Sequence, residues 1–343
     1  MYILAFESSC DETSAAVVSA NDKSITVLSN IIASQISVHA LYGGVVPEIA
    51  SRAHVEAISN ITYEALEKAE LELKDIDLIA VTNSPGLIGA LLVGVNFAKA
   101  LAFANNIPLV AVDHIKGHIA ANYIEYPDLK PPFVAFVASG GHTSIIKVNS
   151  YTDTETIGRT RDDAIGEAFD KVGRIMGLPY PGGKEMDRFA SIGDKSFAKF
   201  PSGAINDDTL DFSFSGLKTH IVNYLHNASQ KGEDISKENV AAAFTKTVCD
   251  SVVAKLSQAL DRTGLKTLVM AGGVSANSHL RAALCDMCEK KRVKLYMPSL
   301  ALCGDNGAMI AAQAYHDSKL GEFSGTDLNA YATKVTKRNT FHS

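Results

Sequence analysis

The chain has 343 residues, of which 46% are hydrophobic and 20% charged. That is the length of about two domains, and the balance excludes disordered and fibrous classes. Its 32 basic and 38 acidic residues leave a net charge of −6, which excludes a protein held to nucleic acid by a general positive coat. The five cysteines, Cys10, Cys249, Cys285, Cys288 and Cys303, are too sparse for a secreted disulfide framework and fit a reducing compartment.

The segments Tyr2–Ser9, Ala15–Ala20 and Ile25–Ser34 are apolar and β-branched between polar turns, and read as three strands. The start runs directly into Glu7 and Asp11 with no basic leader region. Glu48–Ala69 carries apolar residues near a 3.6 period and reads as a helix. A strand at Leu78–Thr82, a buried helix at Ile88–Ala104, a strand at Leu109–Val112 and a helix from about His114 follow. The window Pro85–Ala104 is the most apolar, but Asn96, Lys99 and its glycines argue against a membrane span. The protein is therefore expected to be cytoplasmic, with no membrane contact.

The same order then repeats. Phe133–Ala138, Thr143–Val148 and Thr154–Arg159 read as strands and Ala164–Met176 as a helix. Beyond a Gly-, Asp-, Ser- and Lys-rich insertion at about 177–237 come a helix (Asn239–Asp261), a strand (Thr267–Ala271), a helix (Ala276–Cys288), a strand (Val293–Met297) and a helix (Asn306–Ser318). Three strands followed by alternating helices and strands, made twice, predict an α/β protein of two mixed-sheet lobes facing a cleft. The first lobe is expected over 1–125, completed by a C-terminal helix at about 304–333, and the second over 130–300. The insertion reads as a long functional surface segment, and 336–343 as a disordered tail.

His114-Ile-Lys-Gly-His118 is the sharpest local motif. On a helix, residues four apart share a face, so both imidazoles can reach one metal; the alternative is two surface histidines. A zincin peptidase would need Glu where Ile115 stands. Asp305, in Cys303-Gly-Asp-Asn-Gly307, can supply a carboxylate ligand or can be the N-cap of the helix that follows. Two histidines and a carboxylate suit iron or zinc acting as a Lewis acid.

Ala138-Ser-Gly-Gly-His142 is either a glycine hairpin or a loop whose N–H groups face a phosphate or carbonyl. In the corresponding turn of the first lobe, Asp11 and Glu12 can orient a cation or water or stand as a solvated turn. Ala271-Gly-Gly-Val-Ser-Ala-Asn277 runs from a strand into a helix, a geometry open to nucleotide contact, yet it matches neither dinucleotide nor Walker fingerprints. Asp170 and Asp187 can accept from ribose hydroxyls or be ordinary surface groups. Cys285-Asp-Met-Cys288 lacks a second pair and reads as structural. The run Lys290-Lys-Arg-Val-Lys294 is a solvated face or a local phosphate contact.

Nine segments in order (FESSCDETSAAVV, GGVVPEIASRAH, SPGLIGALLVG, HIKGH, ASGGHT, EAFDKVGRIMGLPYPGG, DFSFSGLKT, AGGVSAN and CGDNGAMIA) resemble the TsaD family, also called Gcp or YgjD. The resemblance covers Met1 to about Thr333. It implies a duplicated actin/Hsp70-like fold (RNase H-like, ASKHA) with a nucleotide-binding cleft. It also implies transfer of the threonylcarbamoyl group from threonylcarbamoyl-AMP to N6 of adenosine 37 in tRNAs reading ANN codons, releasing AMP. By the same resemblance His114, His118 and Asp305 hold one divalent metal, Fe2+ before Zn2+ or Mg2+. Val137, Ala138, Ser139, Gly140 and Gly141 line the acyl-adenylate site, completed by Asp170, Gly183, Asp187 and Asn277.

No covalent nucleophile is expected; Glu12 is the one side chain nominated for a catalytic part. The implied partners are tRNA, a TsaB-like paralogue in a heterodimer and a TsaE-like ATPase. The sequence departs from the family pattern at Ser84, Asn105, Asp113, Lys116 and Lys184, which touches metal identity and local electrostatics but not the two histidines or Asp305. The other activities to weigh are a metallopeptidase, resting on the histidine pair alone, and a kinase-like or chaperone-like ATPase on the same fold. The acidic balance further predicts that the chain alone binds tRNA weakly and in a salt-sensitive way.

Overall fold

Four-residue turns join the first three strands, so they pair as an antiparallel meander before any long helix intervenes. The computed structural model describes residues 1–333 apart from 206, 234 and 322. In chain order the elements are β1 (Tyr2–Glu7), β2 (Glu12–Ala20), β3 (Ile25–Ser34), α1 (Ile36–Ala40), α2 (Pro47–Lys68), β4 (Leu78–Ser84), α3 (Ile88–Asn105), β5 (Leu109–Asp113) and α4 (His114–Glu125). Then come β6 (Phe133–Ala138), β7 (Thr143–Val148), β8 (Thr154–Arg159), α5 (Ile165–Ile175), α6 (Gly182–Ala190), α7 (Ser215–Gln230) and α8 (Lys237–Thr263). The last are β9 (Thr267–Ala271), α9 (Ser278–Lys291), β10 (Lys294–Tyr296), α10 (Leu300–Cys303) and α11 (Gly307–Ser318).

The chain divides into two units. The first holds Met1–His39, Val45–Pro127 and the chain from Asp305; the second holds Ala40–Gly44 and Asp128–Gly304. Each carries one five-stranded sheet, ordered β3-β2-β1-β4-β5 in the first and β8-β7-β6-β9-β10 in the second. In both, the first two pairings are antiparallel and the last two parallel. The topology is made twice.

The central strands β1 and β6 are buried on both faces, which is why their sequences are near-continuous apolar runs rather than alternating ones. In the first unit Leu4, Phe6, Val17 and Val81 join Ile58, Ile61, Leu91 and Val95 of α2 and α3 in one core. The long apolar helix α3 has the length and composition of a membrane span. It was expected to be buried, but only the stripe Ala90, Leu91, Gly94, Val95, Ala98 and Ala102 is, while Phe103 is exposed.

The opposite face of that sheet takes α11. A Cβ at Gly307 would stand 2.7 Å from the Ala16 nitrogen and 2.9 Å from the Ala5 carbonyl, so only glycine lets the helix start there.

The insertion is not a purely surface segment. It forms α6 and α7 and sends Leu210, Phe212, Phe214, Leu217 and Ile221 into the core of the second unit beside Phe136 and Phe244. Its polar average hides these apolar residues, which cluster over only a dozen positions between runs of Asp, Ser and Lys. The helix expected from Ala276 begins at Ser278 after a 3-10 turn over Gly273–Ala276. The short helices α1 and α10 were not anticipated, being too brief for periodicity to register. The expected tail, 336–343, lies outside the described residues.

Because Phe212 is wholly buried, Phe212→Ala should lower stability by about 3–5 kcal/mol. Urea unfolding checks this; a loss near the surface value of about 0.5 kcal/mol would return the insertion to the surface.

Candidate metal centre and nucleotide-binding loops

At the end of β5, Asp113 turns the chain into α4 by accepting from the Ile115 and Lys116 backbone N–H groups at 2.9 and 3.1 Å. This gives the departure at Asp113 a local use as an N-cap. One turn of α4 then sets His114 above His118, with ring centroids 4.5 Å apart. Between them, a Cβ on Gly117 would lie 2.7 Å from Ile310 Cδ1, so α11 packs directly on this turn. The helix-cap alternative for Asp305 is corrected: Asn306 caps α11, accepting from the Met309 N–H at 3.0 Å. Asp305 precedes the cap and its Oδ1 lies 3.2 Å from His118 Nε2 and 3.7 Å from His114 Nε2.

These three side chains can offer ligand atoms within 4.8 Å of one another. Both ring nitrogens of His118 are buried and make no hydrogen bond among the described residues, Nε2 lying 3.2 Å from Asp305 Oδ1. A buried imidazole without a hydrogen bond is costly in a finished core; a cation at the cluster would satisfy it. The residues present therefore fit a divalent metal.

Glu7, absent from the sequence-based site, completes the arrangement. It is fully buried at the end of β1, and its Oε2 accepts from Thr82 Oγ1 at 2.6 Å and stands 3.0 Å from His114 Nδ1. Its Oε1 accepts from the Ser9 N–H at 2.5 Å. A proton on His114 Nδ1 shared with Glu7 leaves Nε2 turned toward Asp305, the carboxylate–histidine arrangement that orients metal ligands. The signal available in the sequence was a lone carboxylate closing an apolar central strand.

The electrostatics follow from this geometry. Burial opposes charge on both partners. Even so, the charge and hydrogen bond of His114 hold the Glu7 carboxyl below its usual range, and Glu7 with Asp305 pushes His114 up to about 9. Burial, then the charges of Asp305, Asp11 and Glu7, push Glu12 up to about 9. Burial also raises Asp11. Crowded carboxylates of this kind repel one another until a cation joins them.

The second unit carries the other expected residues. Val137 and Ala138 are enclosed within β6, whereas Gly140 and Gly141 are exposed in the β6–β7 turn with open space where a Cβ would stand. Ser139 closes that turn, its N–H donating to the His142 carbonyl at 2.8 Å. Gly272, with φ of +89°, brings the end of β9 against the Ala138 carbonyl, where a Cβ would sit 2.3 Å away. Asp170 Oδ1 accepts from the Gly182 and Gly183 N–H groups at 2.8 and 3.2 Å, tying α5 to the start of α6. Asp187 Oδ1 accepts from the Ser278 N–H and hydroxyl, both at 3.1 Å, and Asn277 caps α9. Asp170 thus hydrogen-bonds Gly183 at the start of α6, and Asp187 farther along α6 hydrogen-bonds Ser278, a residue not anticipated and the chain neighbour of Asn277.

Residues 26–312 match the model of the TsaD family, described as tRNA N6-adenosine threonylcarbamoyltransferase. The chain belongs to that family. A curated relative of that name from Clostridium botulinum strain 657 is 53% identical over 328 residues, covering 96% of each chain. The solved structure of full-length HypF, in a phosphate- and nucleotide-bound form, aligns with a TM-score of 0.61 at 16% identity, over 97% of this chain and 47% of that one. Component A of the Acidaminococcus fermentans (R)-2-hydroxyglutaryl-CoA dehydratase aligns at 0.54 and 15%, covering 93% and 99%. At these identities the likeness speaks for the fold, the duplicated ASKHA-type arrangement seen in both sheets. The metallopeptidase alternative gains no support: the family is one of transferases, and Ile115 occupies the place of the needed base.

Glu7→Gln should weaken divalent-metal binding by about 10–100-fold, read by chelator competition on the purified protein. The pH response of the metal-free protein has a definite sign. His114 is raised from 6.5 to about 9, so its pairing stabilises fully below about pH 6.5 and is lost as pH rises through about 9. Thermal melts across that window should fall, and Glu7→Gln should flatten the fall.

Proposed function

We propose that the chain transfers a threonylcarbamoyl group from threonylcarbamoyl-AMP to N6 of adenosine 37 in tRNAs reading ANN codons, releasing AMP. One observation carries the reading: the cluster His114, His118 and Asp305 lies within residues 26–312, the span matched by the transferase family. His114, His118 and Asp305 would hold one metal, Fe2+ or Zn2+ suiting two imidazoles and a carboxylate better than Mg2+, which favours oxygen. When bound, the metal supplies a Lewis acid that polarises the acyl-adenylate.

The chain's own residues do the rest. Glu7 fixes the tautomer and ring orientation of His114. The N–H groups of the exposed Gly140 and Gly141 would face a phosphate or carbonyl oxygen on which charge develops. Asp170, Gly183, Asp187 and Asn277 would hold the nucleotide of the acyl-adenylate, and a fixed donor matters because the aromatic amine that attacks it is a weak nucleophile and gains most from orientation. The N6–C bond forms as the bond from that carbon to the phosphate oxygen breaks. Glu12, in its charged form, would be the acceptor for the N6 proton. The family resemblance supports a TsaB-like paralogue and a TsaE-like ATPase as partners and the cytoplasm as the compartment.

Incubated with those partners, unmodified tRNA and a source of threonylcarbamoyl-AMP, the protein should form threonylcarbamoyladenosine, detected by mass spectrometry of the digested tRNA. His118→Ala should lose bound metal and product together. Full activity of a metal-free His118→Ala protein would remove the metal from the reaction, and no product with verified partners would overturn the transferase reading.

A further inference from the structure

Charge is divided unequally between the units. Over its full span the first unit carries 18 acidic and 10 basic residues, net −8, and the second 20 acidic and 22 basic, net +2. Within the second unit, cations gather where three adjacent parallel strands begin. Lys130 precedes β6, Lys266 precedes β9, and Lys294 opens β10, its N–H donating to the Lys266 carbonyl at 2.8 Å. Lys290, Lys291 and Arg292 close α9 immediately before β10.

Two of the six are already paired: Lys291 with Asp261 and Lys294 with Asp128. Lys130, Lys266, Lys290 and Arg292 are exposed and make no ion pair among the described residues. Cations at a helix C-terminus answer the helix dipole, which accounts for Lys290 and Lys291. That account does not reach Lys130 and Lys266, which stand before strands.

We propose that this corner of the second unit is a docking surface for the phosphate backbone of tRNA. The inference rests on the reading of tRNA as acceptor and adds where the acceptor is held. β6 is six residues long, so at about 3.3 Å per residue the corner lies roughly 20 Å from the Ser139–Gly141 turn at the strand's other end. That is too far to touch a small acyl-adenylate. A long polyanion spans it. In a chain of net −6, local unpaired cations are what phosphate attraction has to draw on, and such attraction weakens steeply with salt.

The test measures binding of unmodified tRNA to the full chain over about 50–200 mM salt. The triple variant Lys130→Gln, Lys266→Gln, Lys290→Gln should weaken binding and reduce the slope of log affinity against log salt by about 1 per lost contact, or roughly 2–3 in all. The matching Lys→Arg triple should keep the slope, and metal content should be unchanged in both. An unchanged slope in the Gln variant, or no tRNA binding by the unaltered chain, overturns the proposal and leaves the corner as helix-end counter-charge or a contact for an acidic protein. A chain that makes no threonylcarbamoyladenosine yet loses its slope in the Gln variant overturns the transferase reading while the docking surface stands. A chain that modifies tRNA with its slope unaltered in the variant overturns the docking surface alone.

Discussion

The close seat of α11 against α4 and the β1–β2 face is the constraint from which the cluster of His114, His118 and Asp305 follows. Two glycines permit it, Gly117 beneath Ile310 and Gly307 against Ala5 and Ala16, each at a place where a Cβ would fall inside contact distance. A methyl group at Gly307 would meet backbone at 2.7 and 2.9 Å and force a shift there, whereas one at Gly117 would meet the tip of the Ile310 side chain at 2.7 Å. The distances that decide whether three side chains can share one ion are therefore set by backbone packing, in a part of the fold with no slack for rearrangement.

The same packing buries charge. Glu7 is tolerated at the end of a fully enclosed strand because Thr82, the Ser9 N–H and His114 all face it; removal of any one would leave a buried carboxylate short of partners. Asp11 and Glu12 lack such complete compensation, and burial first, with repulsion from Asp305 behind it, raises both carboxyls. Stability is given up locally in a form that a bound cation would return, a pattern common at functional sites.

Duplication gives one chain two equivalent turns of unlike chemistry. Both sheets share strand order and direction, yet the equivalent first turns differ in chemistry. Ser8–Asp11 is small and acidic beside buried histidines, while Ser139–His142 is glycine-rich and open. The scaffold is common and the turns are not, so the activities must be argued from the turns. The unequal charge of the two units is a further difference laid on the one scaffold.

The succession of strands and helices was legible from the chain alone, because burial on one or both faces imposes periods of two, of 3.6, or an unbroken apolar run that local sequence must display. The spacing of His114 and His118 was legible for the same reason, since one helical turn is a local property. Three features were not. Glu7 became part of the centre only when β1 and β5 were brought into one sheet through β4. The choice between Asp305 and Asn306 as cap depended on how the chain enters α11. The apolar residues around Phe212 gave no period to read, and only the core they fill reveals them. Sequence determined what repeats along the chain; the tertiary structure decided what meets across it, because contacts between distant residues depend on backbone approach that no local pattern encodes.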